Sequence, residues 1–232
     1  MTAPRSRAGR PVGRAGAGKR TGSKAGEEDK ASTDEYDRTR EAIVRAAAEI
    51  FSRDGFRAGT TKDIAAKVGL SQPSLYYYVG SKDALLSELA LRLDHDMQET
   101  LERARQVSSD PTEQLKAWVR ELTRAVANDK DLFAVYWAES RWLPKKVATQ
   151  VTADEQALIR DVERLVAKVQ AQGALKLGPP AIVTQAITGM VVWLYRWYRR
   201  SSQIEVDELA DLFLRLIGLE EPVPARSASR RR

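Results

Sequence analysis

Apolar residues recur at three- and four-residue spacing through residues 32–217. No stretch alternates apolar with polar side chains or carries an Asn-Gly turn, so the chain is committed to helices. Ser32 with Glu35 three positions on is a capping-box pattern and predicts where the first helix starts. Its apolar face reads Ile43, Ala46, Ala47, Ile50 and Phe51, and it stops before Gly55. Two short helices are expected next, over about 61–68 and 71–78. Thr60 with Asp63 caps the one and Gly69 ends it; Ser71 caps the other, with Pro73 in the first turn, where a missing N–H costs nothing. Gly80-Ser81 breaks the pattern, and a long helix follows over about 82–105, with Leu85, Leu89, Leu93 and Met97 along one side. Asp110-Pro111 opens a helix faced by Leu115, Trp118, Val119, Leu122 and Val126, and residues 132–139 make a short aromatic one. A longer helix after Pro144 ends near Gly173, Pro179-Pro180 opens another reaching about 198, and residues 206–217 make the last. The expected fold is all-α, about nine helices, with a three-helix head and a six-helix body.

The net charge of +6 is unevenly spread. Residues 1–26 hold seven basic residues and no acid, and residues 222–232 add four arginines. Without these segments, 27 basic residues face 32 acidic ones, yet residues 38–82 still carry eight bases against four acids. Positive charge therefore sits on the tails and on the short-helix module, the distribution expected of a polyanion-binding head on an acidic body. Residues 1–31 and 222–232, poor in large apolar side chains, read as disordered basic segments flanking a domain over 32–81 and a body over 82–221.

Two short helices joined through one glycine can set the second of them in a DNA major groove. Ile64, Ala65, Val68, Leu70 and Leu75 supply a small core between them. Ser71, Gln72, Ser74, Tyr76 and Tyr77 are left facing outward, and all can hydrogen-bond base edges or phosphates. Lys82 opens the next helix, where its charge and the free N–H groups of the helix end can meet a phosphate.

The run from Thr60-Thr61-Lys62-Asp63-Ile64-Ala65-Ala66-Lys67-Val68-Gly69-Leu70-Ser71 to Ser74-Leu75-Tyr76-Tyr77-Tyr78-Val79-Gly80-Ser81-Lys82 resembles the signature of the TetR family. With Arg40, Ile43 and Phe51 to Phe56, the likeness covers about residues 38–86. Many relatives carry His and Phe where this chain has Tyr78 and Val79, and a tyrosine hydroxyl still reaches a phosphate. The resemblance implies an all-α homodimer that binds a palindromic double-stranded DNA operator and releases it to a small-molecule effector. It also implies DNA contacts at Thr61, Ser71, Gln72, Ser74, Tyr76, Tyr77, Tyr78 and Lys82. An activator or an architectural DNA-binding protein with the same head is the alternative.

Further on, the cluster Trp193-Leu194-Tyr195-Arg196-Trp197-Tyr198-Arg199 is similar to a subgroup that represses lipid, sterol or aromatic-acid catabolism and responds to acyl-CoA thioesters. On that likeness Tyr136, Trp137 and Trp193 would line an acyl cavity, and Arg141, Arg196 or Arg200 would meet phosphates. Ala186, Met190 and Trp197 with Leu209, Phe213 and Leu216 would form the dimer interface. The 4-3-4 spacing of Ala186, Met190, Trp193 and Trp197 equally fits plain packing.

Enzyme chemistry finds little support. The chain has no cysteine, and its one histidine, His95, lies between Asp94 and Asp96 on a charged helix face. Glu139 and Arg141 beside Trp142 read as an acid with its counter-ion. No phosphate-binding loop motif occurs, and neither a cofactor nor a metal is expected. With no apolar run long enough to span a bilayer and no apolar stretch after the basic start, a cytoplasmic, nucleoid-associated protein with no membrane contact is expected.

Overall fold

A computed structural model of the protein describes residues 22–199 and 204–220. The basic segments read above as disordered lie outside these residues apart from 22–31, as does Arg200. All regular structure among the described residues is helical: α1 Gly22–Ala58, α2 Thr61–Lys67, α3 Gln72–Val79, α4 Lys82–Val107, α5 Pro111–Asn128 and α6 Lys130–Glu139. After a 3-10 turn over Ser140–Trp142 come α7 Lys145–Ala171, α8 Pro180–Val192, α9 Leu194–Trp197 and α10 Val206–Leu216. With α9 counted as the tail of α8, this is the nine-helix fold that the spacing predicts.

By packing, the chain divides into residues 1–39 and 40–232. The described part of the first is the opening of α1. There Arg38 Nε and Thr39 Oγ1 donate to the carbonyls of Asp34 and Glu35 one turn back, at 3.0 and 2.9 Å. The helix begins at Gly22, ten residues ahead of the capping-box pattern, so Ser32 is an interior residue rather than a cap. Ala25, Glu27, Glu28, Lys30 and Ala31 all favour helix, and a helix already running has no orphan N–H groups for Ser32 to satisfy.

The second unit holds one continuous core, from Ile43 to Leu219. The regular part of α1 ends at Gly55, whose φ of +81° only glycine adopts cheaply. Gly59 is needed for a different reason: a Cβ there would stand 2.9 Å from Ile50 Cγ2 and 3.0 Å from Phe51 Cδ1. Thr60 caps α2 by accepting from the Asp63 N–H at 3.1 Å. At its far end, Gly69 at φ +72° lets the Leu70 N–H reach the Ala65 carbonyl at 2.9 Å. Ser71 and Ser81 cap α3 and α4 in the same way, accepting from Ser74 and Ala84 N–H groups.

In the body, α5 packs against α4, α7, α8 and α10, which is why Trp118 on it is fully buried. Ion pairs trim the rims of these contacts: Arg103–Glu121 at 2.8 Å, Arg105–Asp161 at 2.7 Å and Arg124–Asp207 at 2.7 Å. Partly exposed, each adds little to stability. The chain leaves the helical path after Trp197, where Tyr198 turns extended, buries its ring and donates its hydroxyl to the Ile204 carbonyl at 3.3 Å. No helix among the described residues is long and apolar enough to cross a membrane.

Candidate nucleic-acid interface and ligand cavity

Leu75 and Val79 form the inner face of α3, which packs on α2 and α4, and are buried, which turns Tyr76 and Tyr77 outward. Tyr77 is 76% exposed, and its ring meets Tyr78 edge to face at 5.4 Å. Gln72 and Ser71 are exposed, Ser74 and Tyr78 half-buried. Thr61 is buried instead. Its hydroxyl accepts from Gln72 Nε2 at 2.9 Å and shares a hydrogen bond with the Tyr76 hydroxyl at 3.0 Å. Thr61 thus ties α2 to α3 and orients two of the outward side chains. The Ser71 and Ser74 hydroxyls lie 2.7 Å apart, the first also occupied as helix cap.

Lys82 donates to the Arg57 carbonyl at 3.3 Å and lies 4.7 Å from the centre of the Phe56 ring, leaving two of its three donors for a phosphate. Half of the eight basic side chains over residues 38–82 are held in ion pairs. Arg40 pairs with Glu88, Arg45 with Glu41, Arg53 with Asp54 and Lys67 with Glu49. Lys62, exposed in the first turn of α2, has no ion pair among the described residues and joins the outward set. Its place beside Thr61 on the polar side of a short amphipathic helix was the available sequence signal.

In the body a cavity of about 90 Å³ lies among α4, α5, α6, α7 and α8. Its inner wall includes Leu93, Met97, Trp118, Leu122, Phe133 and Leu158, while Tyr136, Trp137, Asp94 and Glu155 stand where it opens. Of the residues expected around an effector, Tyr136 and Trp137 line it; Arg141, Trp193 and Arg196 are not part of its lining. Trp118, Asp94 and Glu155 were missed, because the periodicity that placed Trp118 on an apolar face does not distinguish packed wall from cavity wall.

The helix that carries Tyr136 and Trp137 also reaches the head. Glu139, at its end, is buried and accepts the Phe56 N–H at 3.1 Å, and Arg57 stacks on the Trp142 ring at 4.1 Å. The partner of Glu139 is therefore a backbone N–H, not Arg141, whose guanidinium lies over Trp142 at 5.4 Å. Gly55 leaves room for this contact, since a Cβ there would stand 3.3 Å from Glu139 Oε1.

On the outside of the body, Ile182, Ala186, Trp193 and Trp197 of the α8–α9 stretch and Leu212 and Leu216 of α10 are exposed, with Met190 half-buried. Leu209 and Phe213 are not on this surface: both are buried inside the protomer, where α10 packs on α5. Spacing alone cannot tell which side of a strongly amphipathic helix faces its own core.

These features have counterparts in known proteins. The family profile described as bacterial regulatory proteins, tetR family, matches residues 43–89, and the tetracyclin repressor-like C-terminal domain matches residues 108–218. Tetracycline repressor protein class D of Escherichia coli is 41% identical over 54 residues, which are 23% of this chain and about a quarter (25%) of that repressor's length. Over the whole body the likeness is structural. The TetR family transcriptional regulator PfmR from Thermus thermophilus superposes with a TM-score of 0.67 at 26% identity, covering 77% of this chain and 99% of that one. AibR in complex with isovaleryl coenzyme A and operator DNA gives 0.69 at 20% identity, over 78% and 98%. With the head and body profiles in chain order and the fold shared over nearly the full length of a solved member, the chain belongs to the TetR family of bacterial regulatory proteins.

Proposed function

We propose that this protein is a ligand-responsive transcriptional repressor that binds a palindromic operator as a homodimer and releases it when a small molecule fills the body cavity. The observation that carries this reading is the pair of helices shared by cavity and head. α4 begins with Lys82 beside the end of α1 and carries Leu93, Asp94 and Met97 into the cavity wall. α6 carries Phe133, Tyr136 and Trp137 there and holds the Phe56 N–H through Glu139. A ligand that fits the cavity better in one placement of these helices shifts the spacing of the two heads, which must sit about 34–36 Å apart to enter successive major grooves. Ser71, Gln72, Ser74, Tyr76, Tyr77, Tyr78, Lys62 and Lys82 form the DNA surface in this reading, with Thr61 holding Gln72 and Tyr76 in place.

An acyl-CoA thioester, the effector class implied by the sequence resemblance, brings several phosphate charges, and none of the residues lining the cavity is basic. The effector supported by the lining is a compact, largely apolar molecule. The test is a gel-shift titration on DNA upstream of the protein's own gene, repeated at several salt concentrations. Binding to one palindromic fragment as a dimer supports the repressor. Salt-dependent binding that ignores sequence would instead favour an architectural role.

Two substitutions probe the parts separately. Tyr77→Ala should leave the melting temperature within the equivalent of about 1 kcal/mol, because the side chain is mostly exposed, while operator affinity falls about tenfold or more. Glu139→Leu strands the buried Phe56 N–H, costing about 1–3 kcal/mol or roughly 2–12 °C in Tm, and uncouples ligand binding from DNA release. Glu139→Gln keeps an acceptor oxygen and should retain most of both.

A further inference from the structure

The charged lining of the cavity is of one sign. Asp94 on α4 and Glu155 on α7 are its only carboxylates, it has no basic side chain, and Asp154 stands beside Asp94. Among the described residues no salt bridge reaches any of these three acids, whereas Glu88, Asp96, Glu99 and Glu102 on α4 and Asp161 on α7 are each paired with an arginine. Burial, followed by the Asp154 charge, holds the Asp94 carboxyl above the usual carboxylate range. Burial, with Glu155 next, pushes the Tyr136 hydroxyl up to about 12. Both shifts report the same condition, a partly desolvated site of negative potential that no protein cation neutralises.

The surroundings of these acids suit a particular kind of positive charge. The Tyr136 and Trp137 rings meet at 6.1 Å and 78°, making an aromatic corner where the cavity opens, and Tyr136 donates to Glu155 Oε2 at 3.4 Å. Ring faces attract organic cations, and more strongly where water is excluded. A metal ion would need several converging oxygen ligands, and no group of three acids or histidines that could hold one occurs among the described residues. A second observation marks the space as built for a guest. Trp118, which is 1% exposed, and Thr188 both line the cavity, and the indole Nε1–H and the threonine hydroxyl have no hydrogen-bond partner. Such groups are usually paired in folded proteins, and an acceptor on a bound molecule would pair them.

Building on the reading of this cavity as the effector site, we infer that the effector is a small organic cation. Its substituted ammonium group sits between Asp94 and Glu155 against Tyr136 and Trp137. Its largely apolar body points inward toward Leu122, Phe133 and Leu158, with one acceptor atom on it to pair the Trp118 Nε1–H and the Thr188 hydroxyl. A cavity of about 90 Å³ sets the size of that body. An engineered apolar cavity of about 150 Å³ accepts benzene, so this smaller one limits the buried part to a short alkyl group.

The test uses four probes with the same branched five-carbon skeleton: isoamylammonium, isoamyl alcohol, isovalerate and isovaleryl-CoA. Titration calorimetry on the full chain should find the ammonium bound at least about tenfold more tightly than the alcohol. Neither the carboxylate nor the thioester should bind more tightly than the alcohol. In the double variant Asp94→Asn, Glu155→Gln, the ammonium should lose its advantage while the alcohol binds as before. Binding of the alcohol, isovalerate or isovaleryl-CoA as tight as that of the ammonium overturns the inference, and so does an absence of binding by the ammonium. Leu158→Trp, with Leu122→Phe as a second filler should the first fail to fold, separates this failure from that of the effector-site reading. If probe binding survives in a filled, folded variant, the cavity is not the site. If binding is lost there but no preference for positive charge is seen in the parent protein, only the sign of the effector is wrong.

Discussion

Replacing Trp197 and Leu216 by glutamate is expected to leave a folded monomer whose operator affinity is lower by about 10²–10⁴-fold. Leu216 is 67% exposed and Trp197 48%, the latter with an edge contact to the Tyr198 ring, so the change removes little internal packing. They belong to a set of exposed large apolar residues on α8, α9 and α10, the kind of patch that a monomer seldom leaves in water. A dimer that covers it presents two heads to two half-sites. The second head then binds at an effective concentration set by the first, and the monomer loses that gain entirely. Sedimentation and gel shift measure the two halves of the prediction. A variant that stays dimeric, or a monomer that binds the full operator as tightly as the parent, would refute it. Phe213→Glu makes the contrast: three residues before Leu216 but buried against α5, it should unfold the body rather than split a dimer.

The second large effect concerns Gly59. Any Cβ at this position, two residues before α2, stands 2.9 Å from Ile50 Cγ2 and 3.0 Å from Phe51 Cδ1, both on buried side chains of α1. Gly59→Val adds two methyl groups to that clash, and overpacking of this kind costs about 1–3 kcal/mol or more. For a chain of this size that is a drop of roughly 2–12 °C in Tm. DNA binding should suffer more than the melting temperature suggests, because the displaced α2 carries Thr61, and with it the orientation of Gln72 and Tyr76. Gly69→Ala is the control. Nothing lies within 4 Å of a Cβ there, so only the left-handed φ is strained and the loss should be smaller.

The head was largely legible from its sequence because its signals are local. Caps at Thr60 and Ser71 and stops at Gly69 and Gly80 each act within four residues, and all four stand where the pattern predicted, while Ser81, read only as part of a break, also caps α4. The start of α1 was misplaced because Ser32-Glu35 satisfies the capping-box pattern equally well inside a helix. The body was legible as helices but not as a site. Leu209 and Leu212 share one apolar stripe in the sequence, and only packing against α5 separates the buried one from the exposed one. Asp94 and Glu155 lie sixty-one positions apart on polar stretches, and nothing but the fold brings them to one opening.

On the repressor reading proposed above, the position of Glu139 has a pharmacological consequence. One helix presents Tyr136 and Trp137 to the cavity and, one turn later, grips the Phe56 N–H at the junction with the head. Occupancy and response are then separate quantities. A molecule that wedges α6 away from its resting position acts as an inducer. One that fills the same space and leaves α6 where it stands competes for the site without lifting repression, because equal affinity for both states shifts no population however tightly it binds. Inducers and silent antagonists of this protein should therefore differ by only a few atoms, in the part of the molecule that meets Tyr136.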